Sequence, residues 1–188
     1  MFVNGEFVVS HEGGYSAFRA DITEKCTEEF NTIAIWCSNE KCDAIYPQSA
    51  DFTFYGGLYR GAHLICVPET HFELLHYGDL GIHAATEPAS WDKEDFMLHI
   101  RTKICGVEKD NQVIYQIFDE DGKEVASAAR PADSPDTSIP LYKPNRWDIK
   151  NSYQYTLKAL IMRNNECLDE VELKFGVRTF CCDPGRGF

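Results

Sequence analysis

Basic residues are scarce in this chain. Eighteen lysines and arginines stand against 30 aspartates and glutamates, a formal net charge of −12 over 188 residues. Nucleic acids and anionic membranes are held through basic patches, so this balance argues against both as partners. It says nothing against a neutral sugar, which needs no charge match. No C-x-x-C pair occurs among the eight cysteines, Cys26, Cys37, Cys42, Cys66, Cys105, Cys167, Cys181 and Cys182, so structural zinc is not expected. Several of them sit in apolar runs, where a free thiol acts as a small hydrophobe. No signal peptide precedes Met1, because Phe2-Val3-Asn4-Gly5 already reads as strand and turn. A cytoplasmic location with reduced thiols is the simplest expectation. None of the histidines (His11, His63, His71, His76, His83, His99) pairs with another at a helical metal spacing. Internal repeats, low-complexity runs and windows of helical period are also missing.

What remains is an ordinary globular composition, 44% hydrophobic and 26% charged, long enough for one large domain or two small ones. Strand signals recur at short intervals. Asn4-Gly5 between β-prone residues predicts a hairpin over residues 1–9. Glu24 to Glu29 suggests a helical turn, and Asn31 to Cys37 alternates as a strand. Ser38 to Ala50 reads as a long loop. Further strands are expected over 81–86, 96–104, 113–118, 124–127, 153–162 and 167–175. Asp119 to Lys123 and Arg163 to Glu166 are predicted as hairpin turns, and Pro131 to Pro140 as loop. Short strands with regular turn signals predict an all-β sandwich.

The densest stretch is Asp51-Phe52-Thr53-Phe54-Tyr55-Gly56-Gly57-Leu58-Tyr59-Arg60, with four aromatics, two adjacent glycines, one acid and one base. Ala62 to Val67 follows, an apolar run stopped by Pro68 that reads as a buried strand. Asp51 is therefore expected in a loop held by a bulky platform, the usual way a binding acid is presented. From residue types alone, the aromatics serve equally well as core and Asp51 as an ordinary loop acid.

Together with His11-Glu12-Gly13-Gly14-Tyr15-Ser16-Ala17-Phe18-Arg19-Ala20-Asp21-Ile22-Thr23, this stretch resembles the sugar-binding domain of glycoside hydrolase family 2. That is the family of β-galactosidases, β-glucuronidases and β-mannosidases. Ser152 to Leu157, Asp169 to Glu172 and Phe175-Gly176-Val177-Arg178-Thr179 resemble the last strands of its immunoglobulin-like domain. The resemblance implies an all-β fold, a partial galactose-binding-like jelly roll followed by an immunoglobulin-like β-sandwich. Residues 1–67 would belong to the jelly roll, 68–180 to the sandwich, and 181–188 to a linker toward a catalytic barrel that this chain lacks.

The implied function is that of a non-catalytic accessory region of a retaining glycosidase acting on β-galactosides. Both catalytic glutamates lie on the barrel in that family, so no catalytic residue is expected here. Acid pairs such as Glu28-Glu29 and Asp119-Asp121 fall in polar turns, where solvated acids belong. The resemblance implies that Asp51 reaches into the barrel's active site, where a carboxylate can accept hydrogen bonds from vicinal sugar hydroxyls. It implies no cofactor held by this chain itself, and a sodium ion beside Asp51 in the full enzyme. Arg60 is expected to pair with a nearby acid or carbonyl under the loop. Trp36 is expected in the core, and Trp147 matches a packed tryptophan of the family's immunoglobulin-like domain. Expected partners are a β-galactoside, the chain's own barrel and further copies in a homo-oligomer. A stand-alone carbohydrate-binding module is the leading alternative. β-Glucuronidase and β-mannosidase stay open, since the residues that choose the sugar lie mostly on the barrel.

Overall fold

Alternation of apolar and polar residues generates the longer strands of the computed structural model, which describes every residue except 44, 48, 77, 90–93, 181, 186 and 188. The chain divides into two compact units. One comprises residues 1–66 with 75–78, the other residues 67–74 with 79–188. Apart from one 3-10 turn, the regular structure is all β. Among the described residues no helix is long and apolar enough to cross a membrane.

The first unit carries little regular structure. Strands β1 (Phe2–Val3) and β2 (Glu6–Phe7) form the expected hairpin, and β3 (Ile33–Ala34) pairs with β1 on its other side. Asn4 and Gly5 both adopt positive φ (52° and 86°), as a two-residue primed turn requires. Asn4 also ties the hairpin to the 26–32 segment. Its Nδ2 donates to Asn31 Oδ1 (2.8 Å) and its Oδ1 accepts from the Thr32 amide (2.9 Å). The helical turn expected after Ile22 is a single 3-10 turn, Thr23–Lys25. Asp21 Oδ1 accepts from the Thr23 amide (2.8 Å) and hydroxyl (2.6 Å), holding its start.

Two expectations for this unit fail. Ala62 to Val67 is exposed and forms no strand. An apolar run is buried only where a partner strand and a second layer cover it, and no ladder of this unit reaches these residues. Trp36 is 85% exposed and not core. Its strand ends at Ala34, so the alternation from Asn31 to Cys37 acquires no partner beyond that point.

Among the described residues the second unit holds nine strands: β4 (His71–Phe72), β5 (Ile82–Pro88), β6 (Phe96–Thr102), β7 (Ile104–Cys105), β8 (Gln112–Phe118), β9 (Glu124–Pro131), β10 (Thr137–Leu141), β11 (Tyr155–Arg163) and β12 (Glu166–Phe175). They build antiparallel sheets in the orders β10-β6-β5 and β12-β11-β8-β9, with β4-β7 as a short third ladder. The two larger sheets form a sandwich. Phe96, Leu98 and Ile100 of β6 share one core with Val113, Tyr115 and Ile117 of β8 and Leu157, Ala159 and Ile161 of β11. Each triplet is spaced by two, which places all three side chains on one face. The hairpin between β11 and β12 turns on Asn164 and Asn165, with φ of 50° and 66°.

Pro131 to Pro140 is not loop throughout, because Thr137–Leu141 pairs with β6 along its whole length. β10 is an edge strand, so Pro140 can occupy a position whose nitrogen faces away from β6. Trp91 lies outside the described residues, whereas Trp147 is half-buried and packs as expected. Its amide donates to the Val177 carbonyl (2.9 Å), and the Arg178 guanidinium lies 4.9 Å from its ring centre. Cys26, Cys37, Cys42, Cys66, Cys105, Cys167 and Cys182 are free thiols. Cys181 is outside the described residues.

Candidate functional site

The loop bearing Asp51 has no regular structure and is exposed throughout. Gly57 has φ of 82°, a conformation that side chains with a Cβ resist, so the second glycine of the pair is where the chain turns. Gly56 approaches Asn39, whose side chain would stand 3.3 Å from any added Cβ. Asn39 Nδ2 in turn donates to the Phe54 carbonyl (3.3 Å). Phe52 and Phe54 sit with ring centres 5.2 Å apart. Among the described residues no strand pairs with this loop, which is held by side-chain contacts.

The structure brings together the two sequence stretches that resemble the sugar-binding domain. Tyr59 donates its hydroxyl to the Gly14 carbonyl (3.3 Å), and Arg60 Nη1 reaches the Tyr15 carbonyl (3.5 Å). Both contacts span 45 residues. Arg60 therefore finds a carbonyl partner under the loop, and its guanidinium lies 5.7 Å from the Tyr59 ring centre. Within the first stretch His11 stacks on Phe18, with centres 4.8 Å apart and planes 15° apart. Asp51 is exposed, and among the described residues no hydrogen bond or ion pair engages it. A carboxylate in that condition keeps all its lone pairs for an incoming ligand.

The other acids singled out in the sequence behave as turn residues. Asp119 Oδ1 accepts from the amides of Asp121 (3.1 Å) and Lys123 (2.9 Å), closing the β8–β9 turn. One constellation was invisible in the sequence. On the outer face of β5, β6 and β10, His99 Nδ1 lies 2.8 Å from Ser138 Oγ and His99 Nε2 lies 2.9 Å from Glu87 Oε1. Strand register alone assembles these three, since Ser138 pairs directly with His99 and Glu87 lies two residues beyond Ala85, the partner of His99 on β5 and therefore on the same face. The only forewarning was the period-two placement of His99 on an exposed face.

Residues 86–178 match the family model described as Glycosyl hydrolases family 2. A β-glucuronidase of Bacteroides fragilis is 27% identical over 100% of this chain and 28% of its own length. A β-galactosidase of Bacteroides ovatus is 28% identical, again over 100% of this chain and 22% of its own length. Among solved structures, an FMN-binding β-glucuronidase from Facaelibacterium prausnitzii L2-6 superposes with a TM-score of 0.86 at 40% identity, covering 97% of this chain and 28% of that one. The chain spans about a quarter of the length of the curated relatives it matches. Residues 86–178 thus carry the model of glycosyl hydrolases family 2, and the chain as a whole is similar to a segment of these β-glucuronidases and β-galactosidases.

Proposed function

We infer that this chain is the non-catalytic accessory region of a retaining family 2 glycosidase, a partial jelly roll followed by an immunoglobulin-like sandwich. The observation that carries this reading is the full-length match to relatives of which the chain covers about a quarter. Turnover of a glycoside takes two carboxylates flanking the scissile bond. In this reading they come from a barrel outside these residues, and Asp51 supplies an acceptor for the hydroxyls of the bound sugar. Its exposed carboxylate suits a hard cation equally well, so it would serve as one oxygen ligand of a sodium ion, the others coming from elsewhere. This chain's sequence resembles the β-galactosidase branch at Asp51, while the 40% identical structure is a β-glucuronidase, so either sugar fits the role.

The test is a chimera. This chain would replace the corresponding segment of the Facaelibacterium enzyme, and hydrolysis of nitrophenyl β-glucuronide and β-galactoside would be measured. Turnover by the chimera and none by the isolated chain is the expected result. Asp51→Asn in the chimera should lower kcat/KM by roughly tenfold or more while leaving the isolated chain's stability unchanged. Hydrolysis by the isolated chain would overturn the reading. So would affinity of the isolated chain for galactose or lactose, which would favour the stand-alone binding module instead.

A further inference from the structure

The open side of the sandwich, where edge strands β9 and β10 lie next to one another, carries a concave site of about 420 Å³. That volume falls within the range of small-molecule sites. Its polar lining comes from Arg101 of β6, Arg130 of β9, Asp136 just before β10, and Ser138 with its His99 partner. In a chain of net charge −12, two guanidinium groups in one hollow are a local exception. Among the described residues neither arginine forms an ion pair with a carboxylate.

The charged groups of the hollow are two guanidinium groups and the Asp136 carboxylate, which leaves one formal positive charge in excess. Arg130 Nε donates to Thr137 Oγ1 (3.1 Å), which orients the guanidinium across the gap between the two sheets and leaves its terminal nitrogens for other partners. Asp136 Oδ1 accepts from the Thr102 amide (3.0 Å), so this acid is committed through one oxygen to the backbone. His83, opposite Arg101 on β5, is engaged with Asp79 at 2.8 Å. Glu87 is held by His99 (2.9 Å). The hollow thus offers forked cationic donors at one part and, at another, a carboxylate acceptor in Asp136 and a hydroxyl in Ser138.

We propose that this hollow binds a carboxylate-bearing sugar unit, as an accessory glycan site on the sandwich. A planar carboxylate matches the guanidinium fork in two parallel hydrogen bonds. Sugar hydroxyls donate to the remaining oxygen of Asp136 and exchange hydrogen bonds with Ser138. A phosphate dianion matches the arginines but brings two negative charges beside Asp136, which repels it more strongly than it repels a singly charged carboxylate. A neutral sugar satisfies Asp136 and Ser138 but leaves both guanidinium groups in water. The site stands on its own residues and does not depend on which glycoside the family 2 reading assigns.

The experiment is a titration of the isotope-labelled 188-residue chain, followed by amide resonances, with three probes: a glucuronic acid-containing disaccharide, its neutral glucose counterpart and inorganic phosphate. Expected are saturable shifts confined to residues 99–101, 130 and 136–138 with the acidic disaccharide, at least about tenfold weaker in Arg101→Gln. Among the described residues Arg101 has no hydrogen-bonding or ionic partner to lose, so that variant should fold normally. Arg130→Lys, which keeps the charge and removes the fork, should also weaken binding. The proposal fails if the neutral disaccharide or phosphate binds as tightly as the acidic one. It fails equally if Arg101→Gln retains the parent affinity, or if no probe shifts these resonances.

Discussion

Gly176 sits directly against Trp147. A Cβ at position 176 would stand 3.0 Å from Trp147 Cβ and 3.2 Å from its Cγ, so the tryptophan would have to shift by a few tenths of an ångström. The neighbouring Val177 is fully buried and its carbonyl accepts from the Trp147 amide. The glycine after β12 thus admits the tryptophan against the backbone and lets the next residue enter the core. Gly176→Ala should destabilise the second unit by about 1–3 kcal/mol, the usual cost of overpacking. Urea unfolding monitored by tryptophan fluorescence would show the midpoint fall, and an unchanged midpoint would refute the contact.

Tyr115 anchors the core through its hydroxyl, which accepts from Thr102 Oγ1 (2.7 Å) and donates to the Pro135 carbonyl (2.9 Å). Tyr115→Phe strands both partners and should cost about 1–3 kcal/mol. Burial pushes the Tyr115 phenol up to about 12. The folded state therefore holds the neutral form above the pH at which the unfolded chain releases its proton, near 10. The associated stability is fully present below pH 10 and is lost as pH rises toward 12. Subtracting the Tyr115→Phe curve from that of the parent isolates the effect from other tyrosines and lysines. A difference of about 2–3 kcal/mol between pH 9 and pH 12 is expected, and a flat difference would count against it.

Cys105 should be the slowest of the described thiols to alkylate. Its Sγ is 3.2 Å from Glu73 Oε2, and burial, with the carboxylate second, pushes the thiol up to about 11. Cys37, Cys42 and Cys66 are exposed. Since the thiolate is the nucleophile, iodoacetamide at pH 8 should label those three well before Cys105. Peptide mass spectrometry on a time course reads the order directly. Labelling of Cys105 at the pace of Cys66 would mean the thiol is not held as described.

Proteolysis should begin in the first unit. Its strands are two residues long, and large apolar side chains such as Phe30, Trp36, Tyr55 and Leu64 are exposed there. The second unit pairs strands of up to ten residues around a continuous core. Backbone with few buried contacts opens first, and cleavage follows opening. Early fragments should carry an intact 82–175 region. Preferential early cuts within that region would contradict the expectation.

Features built from adjacent residues were legible in the sequence. Asn4-Gly5, Asp119 to Lys123 and Arg163 to Glu166 all turn the chain as predicted, because left-handed backbone and side-chain-capped turns are written in a few neighbouring positions. β10 was not legible. Pro140 reads as a break, and only its place at a sheet edge permits the strand. Ala62 to Val67 misled for the opposite reason: its composition suits burial, but burial is conferred by layers the run does not contain. His99, Ser138 and Glu87 lie 39 and 12 residues apart, and their meeting depends on register between strands. Asp51 was legible as an exposed loop acid.

The prolines of the sandwich's open side carry a consequence for crowded solutions. Pro131 is the last residue of β9 and Pro140 lies within β10, and neither has a backbone N–H to donate. A foreign strand seeking to extend either sheet from this side meets a gap in the row of donors it would need. Stacking of chains into ribbons is therefore discouraged along this flank, and the hollow between β9 and β10 stays open to small solutes at concentrations where a bare flank would be overgrown.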